Sequence, residues 1–141
     1  MEKTVILSLV VILAFHFLAG SLGWYDQIWW LDIIMHMAGG AWVALLAAHL
    51  ITIRKIISSD RHFLERYILI LGAVALVGVL WEFYEYLADV FLLKVHPINF
   101  APNPKLLPDT LSDLLNDFLG GTATVLVLES IKKDEPAIRQ R

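Results

Sequence analysis

Four apolar stretches, each long enough to cross a bilayer, fix most of what this chain can become. They run from about Thr4 to Leu22, Trp30 to Ile53, Tyr67 to Phe91 and Thr110 to Ile131. A hydrocarbon core of about 30 Å takes roughly 20 helical residues to cross. Inside lipid every backbone N–H and C=O needs an internal partner, so a spanning segment is a helix or part of a closed barrel. Period-two alternation is absent, and so few segments cannot close a barrel. The expected fold is therefore all-α: a four-helix transmembrane bundle in one domain, residues 1–131. A polar tail, residues 132–141, follows and is expected to fray.

The basic residues set the expected orientation. Lys3, Arg54, Lys55, Arg61, Arg66, Lys132, Lys133, Arg139 and Arg141 fall on one side of the four-span scheme, and only Lys94 and Lys105 on the other. By the positive-inside rule both termini and the middle loop are cytoplasmic, in the cell membrane. Trp24, Tyr25, Trp29 and Trp30 then form an aromatic belt at the outer interface. A cleaved signal peptide is the competing reading of the first segment, on the strength of Ala19-Gly20-Ser21. Its lone Lys3 beside Glu2, and His16 within the apolar run, weigh against it. Between the third and fourth spans, Pro97, Pro102, Pro104 and Pro108 exclude a regular helix over 94–108, which is expected to form a stiff outer cover.

Composition excludes several functions. Charged residues are only 18% of the chain, the net charge is −3 and no dense basic stripe exists, so nucleic acid is not an expected partner. With no cysteine, disulfides, thiolate metal sites and cysteine nucleophiles are ruled out. Phosphate-cradling glycine loops, nucleophile elbows and HExxH are missing too. The expected partners are membrane lipids, with a homo-oligomer required if four helices are to form a through-pathway.

Ionisable residues inside spans are costly and mark function by default. Asp32 and His36 lie in the first turns of the second span. Glu82, Glu85 and Asp89 follow an i, i+3, i+7 pattern in the third, and Asp109, Asp113 and Asp117 an i, i+4, i+8 pattern in the fourth. Each set forms a stripe on one helix face. Taking 1.5 Å per residue, His16, His36, Glu82 and Asp117 all sit on the order of 10 Å below the outer surface. So many carboxylates cannot share one site fully ionised. Either some are protonated, or one or two divalent cations neutralise them. The candidate metal ligands are Glu82, Glu85, Asp89, Asp109, Asp113 and Asp117, with Asp32 or His36 as general base.

Structural readings compete. Thr110 and Asp113 fit a capping box, with Thr110 as N-cap, and Asp109 suits the positive end of that helix. Asp89 and Asp32 fit the headgroup region, and His16 fits a hydrogen-bonded packing role. His49 reads as interfacial. Gly39, Gly40, Ala44 and Ala48, with Gly120 and Gly121, have the small-residue spacing that brings the second and fourth spans together.

Three blocks in order carry a family resemblance. Asp32 and His36 with Gly39-Gly40 resemble the D-x-x-x-H-x-x-G block of small VanZ-like and YjdF-like membrane proteins. Trp81-Glu82-Phe83-Tyr84-Glu85 resembles the W-E-x-x-E block of the YjdF-like branch, and Asp109-Thr110-Leu111-Ser112-Asp113 its D-T-x-S-D block. The Q-x-x-x-P-x-R stretch expected of a VanZ-like protein is missing. The resemblance implies a small membrane protein of unsettled chemistry and does not transfer the reduced glycopeptide susceptibility associated with VanZ-like proteins. Three functions follow as expectations: a metal-dependent enzyme acting on a lipid or lipid-linked head group, a proton- or cation-binding transport module, or a structural envelope-stress protein.

Overall fold

In the computed structural model, residues 2–54, 63–88, 90–91 and 106–138 are described. They form five helices: α1 (Glu2–Ser21), α2 (Trp24–Gln27), α3 (Leu31–Ile53), α4 (Phe63–Ala88) and α5 (Leu106–Ile138). No strand occurs among the described residues. Four of the helices are long and apolar enough to cross a membrane, over Lys3–Ser21, Leu31–Ile53, Phe63–Ala88 and Leu107–Ile131. The end of the bundle holding α2 is termed the upper end here.

The distribution of side chains is inverted relative to a water-soluble domain. Leu7, Ile68, Leu76 and Leu80 are about 60% exposed, whereas His36, Asp113, Asn116 and Asp117 are buried. Large apolar side chains all around a bundle need a hydrocarbon surround, since water would not tolerate that much contiguous apolar surface.

Helix ends explain the differences from the expected boundaries. Gly23 adopts φ 67°, the left-handed conformation that stops α1 and starts the short α2. At the other loop, α5 begins at Leu106, so Pro108 and Thr110 are already helical. Proline is accepted there because first-turn N–H groups have no helical acceptor to lose. Thr110 is therefore inside the helix, and the expected capping box does not form. Residues 92–105 of the proline-rich stretch, and Asp89, lie outside the described residues. Nor does the chain stop being helical at Ile131, since α5 continues to Ile138.

Packing is tightest between α3 and α5, which run parallel. A Cβ added to Gly40 would collide with the Asp117 backbone carbonyl, and one added to Gly120 with the Met37 carbonyl. Backbones come this close only where side chains are absent, which is how small-residue positions drive association in lipid. The antiparallel α4 closes the core against both, with Val43, Ala44, Ile51, Ile70, Val74 and Val125 buried together. Lower down, Tyr67 shares a 3.1 Å hydrogen bond with Thr122, and Arg66 lies 3.0 Å from Glu129. His49, read as interfacial from its position, is instead buried. Both its ring nitrogens lack a hydrogen-bond partner among the described residues.

α1 is peripheral by comparison. It packs on α3, and no described Cα of α1 lies within 8 Å of α4 or α5. Side-chain ties join it to α3 and α4. Trp42 of α3 donates its indole N–H to the Val5 carbonyl at 2.8 Å, and the His16 ring meets Trp81 of α4 edge-on at 5.1 Å.

Candidate functional site

His36 is the centre of the upper end. Helical spacing puts it one turn below Asp32 on α3, and the close α3–α5 approach brings Asp113 and Asp117 against it. Its Nε2 lies 3.7 Å from Asp32 Oδ1 and 3.9 Å from Asp113 Oδ1, while its Nδ1 lies 3.4 Å from Asp117 Oδ1. The imidazole is only 4% exposed, so its orientation is fixed by what surrounds it.

Asp117 has its own supports. A Cβ on Gly78 of α4 would stand 2.6 Å from Asp117 Oδ2, and one on Gly39 would stand 3.9 Å from Oδ1. The carboxylate thus occupies space left by glycines on two neighbouring helices. From there it faces Nδ1, the arrangement by which a carboxylate orients a histidine and leaves the other nitrogen free to bind.

Two overlapping groups of donor atoms result. One donor atom each from Asp32, His36 and Asp113 lie within 4.8 Å of one another, and the same holds for His36, Glu82 and Glu85. His36 belongs to both groups, so carboxylates from three helices meet around one ring. Glu82 Oε1 is buried without a hydrogen-bond partner among the described residues. A buried carboxylate oxygen with no partner is costly, and something must offset that cost.

The expected residues thus separate by position. Asp32, His36, Glu82, Glu85, Asp113 and Asp117 converge. Asp109 does not; it is exposed in the first turn of α5, where the helix dipole favours it. Asp109 stands one turn above Asp113 on α5 and belongs to neither group of donor atoms. His16 keeps a packing role: its Nδ1 pairs with the Tyr25 hydroxyl at 2.8 Å. Tyr25 is half-buried. Burial, and then the nearby Asp32 and Glu85 carboxylates, push its hydroxyl pKa up to about 12. Buried Asn116, and Gly78 behind Asp117, escaped the sequence reading; a single polar amide or glycine in a span has no period to flag it.

A cavity of about 280 Å³ adjoins the cluster. Its upper part is lined by Asp32, His36, Glu85 and Asp117, and its lower part by Leu9, Leu13, Trp42, Val43, Val74 and Val77. Among the described residues neither Lys nor Arg lines it.

A bundle of four lipid-facing helices with a buried polar centre at one end defines a multi-pass integral membrane protein. Within that class, residues 1–134 match the model of a family described as a predicted membrane protein, DUF2238, and the chain belongs to that family. This agrees with a small membrane protein family at the coarse level and supplies neither the YjdF-like nor the VanZ-like name. No curated protein and no solved structure matches the chain.

Proposed function

We propose that the upper end of the bundle holds one or two divalent cations and acts on the phosphate-bearing head of a lipid or lipid-linked molecule. The observation that carries this reading is the convergence on His36 of two donor groups, with the orphaned Glu82 oxygen in one of them. Oxygen-rich sites with a single imidazole suit Mg²⁺, Mn²⁺, Zn²⁺ or iron.

The chain's own groups divide the work. Asp113, Glu82 and Glu85 with His36 Nε2 are the ligands, and Asp117 holds the His36 ring. Asp32 is 41% exposed against 9% for Asp113 and Asp117, so it is the carboxylate placed to exchange a proton with water. Among the described residues no basic side chain lines the cavity; a bound cation would supply positive charge for a phosphate and make a bound water more acidic. The Lys/Arg distribution supports an extracytoplasmic upper end, and hence a substrate in the outer leaflet. The W-E-x-x-E and D-T-x-S-D blocks behind the YjdF-like resemblance are the ones that supply Glu82, Glu85 and Asp113.

The same distances favour one other reading, in which His36 carries a proton and ion-pairs with Asp32, Asp113 and Asp117. Such a centre binds or relays protons and needs no metal. Metal analysis of purified wild type beside an Asp113→Ala variant separates the two. The metal reading expects bound cation in wild type and at least ten-fold less in the variant. Asp117→Asn, which disturbs only the ring's orientation, is expected to weaken affinity by about 10- to 100-fold. Equal trace metal in all three proteins would leave the protonated-imidazole reading.

A further inference from the structure

The cavity is a slot with two chemistries. Along α3 it extends from Asp32 down to Val43, and along α4 from Glu85 down to Val74. That is about 16 Å along each helix axis. Only the upper part is polar. Below Gly39 the walls are Leu9, Leu13, Trp42, Val43, Val74 and Val77.

Water does not suit the lower part, because a buried water needs two to four polar partners. Left empty, the slot forfeits dispersion contacts along its whole lining. Apolar cavities of about 150 Å³ already take up a benzene-sized guest, and this one is larger. In a bilayer the available guest is hydrocarbon.

The slot also has a route of entry. It lies between α1 and α4, whose described Cα atoms stay more than 8 Å apart. Its upper end is crossed by the aromatic chain Tyr25–His16–Trp81, with the Tyr25 and His16 rings 5.6 Å apart and the His16 and Trp81 rings 5.1 Å apart. Those rings bridge the seam at its upper end, and below them it lies between two helices long and apolar enough to stand in the acyl region. On the α1 side of that seam, Leu9, Ile12, Leu13 and His16 form the half-buried stripe, and Ile6, Leu7 and Val10 are exposed to lipid.

We infer that the α1–α4 slot takes up one hydrocarbon chain of a phosphate-headed amphiphile, entering sideways from the bilayer, with its head at the His36 cluster. The head-group part rests on the metal reading above; the chain-binding part rests on the slot alone. The ligand is thus a single-tailed lipid phosphate, or one tail of a larger one, and the tail is acyl or isoprenoid.

The test is photocrosslinking of purified full-length protein in detergent with a lysophosphatidic acid whose acyl chain bears a diazirine, followed by peptide mapping. Saturable labelling of Leu9, Ile12, Leu13 or Val77 is expected, in excess over Ile6, Leu7 and Val10. Unlabelled lysophosphatidic acid or a prenyl monophosphate should compete, and the better competitor identifies the tail. Leu13→Trp should reduce slot labelling at least ten-fold, with Ile12→Phe as the milder variant if Leu13→Trp does not fold. Non-saturable labelling, spread evenly over the lipid-facing side chains, would overturn the inference, as would capture of a second copy's helix in the seam. Repeating the labelling with a chelator separates the two proposals. Slot labelling that persists in metal-free protein leaves chain binding standing whatever the metal analysis shows. Bound metal without slot labelling leaves the cation standing and removes chain binding.

Discussion

Two seams of this bundle solve the same problem in opposite ways. Between α3 and α5, glycines at Gly40 and Gly120 let each backbone rest on the other's carbonyls, and no space remains. Between α1 and α4 the backbones stay apart, side chains alone bridge the upper end, and a cavity of about 280 Å³ persists. Lipid offers little hydrophobic drive for helices to associate, so close packing is the main force available. The tight seam uses that force to place two carboxylates, Asp113 and Asp117, against His36. The loose seam forgoes it and keeps a space beside the same ring. One half of the molecule builds the polar centre, and the other leaves a way to reach it.

The largest effect should come from closing off the backbone approach in the tight seam. Gly40→Val puts its Cβ onto the Asp117 carbonyl, which belongs to rigid helix and cannot yield as a side-chain tip can. Overpacking of this kind costs about 1–3 kcal/mol and more where backbone is struck; we expect at least 3 kcal/mol. Unfolding in bicelles, followed by steric trapping, reads the change. Gly72→Ala is the control on the same scale: nothing lies within 4 Å of its Cβ, so helix propensity should make the change neutral or slightly stabilising. Equal effects at Gly40 and Gly72 would mean that the α3–α5 seam is not tightly packed.

An intermediate effect is expected at the loose seam. Trp42→Phe removes the indole donor to the Val5 carbonyl, the hydrogen bond that ties α1 to α3. Hydrogen bonds between membrane helices are worth about 0.6 kcal/mol on average and up to about 1.7. The loss of the bond falls on α1, while Phe keeps an aromatic ring packed against the core shared by α3, α4 and α5. The chain has no cysteine, so spin labels at Lys3→Cys and Ile53→Cys report the α1–α3 separation without background. Their distance distribution should broaden in Trp42→Phe while global stability shifts by about 1 kcal/mol or less. An unchanged distribution would show that packing alone holds α1.

What the sequence disclosed follows the same division. The four spans, the acidic stripes and the small-residue approach of the second and fourth spans are all periodic along the chain, and periodicity survives without coordinates. Convergence on His36 was legible for that reason. The place of Asp109 was legible only in part, because α5 starts at Leu106, five residues earlier than a Thr110 N-cap implied, and Asp109 is an exposed first-turn residue. The slot was invisible. Leu9, Leu13, Val74 and Val77 read as ordinary apolar residues, and within the apolar run of α1 little besides His16 records which side meets a partner. A void is a property of how helices stand apart, and no residue type encodes it.

The smallest expected effect sharpens the contrast from within the packed half. Tyr67 and Thr122 join α4 to α5 by a 3.1 Å hydrogen bond below the polar centre. A double-mutant cycle with Tyr67→Phe and Thr122→Val removes the bond without opening much space, and the coupling should be about 0.6 kcal/mol, the usual value for such a pair in a membrane. It should not alter metal content or slot labelling, since neither residue lines the cavity or belongs to a donor group. If the coupling instead exceeded about 2 kcal/mol, above the range expected for one such bond, the α4–α5 contact would be maintained by polar attraction rather than by fit. The tight half would then owe its shape to hydrogen bonding, and glycine packing would be secondary.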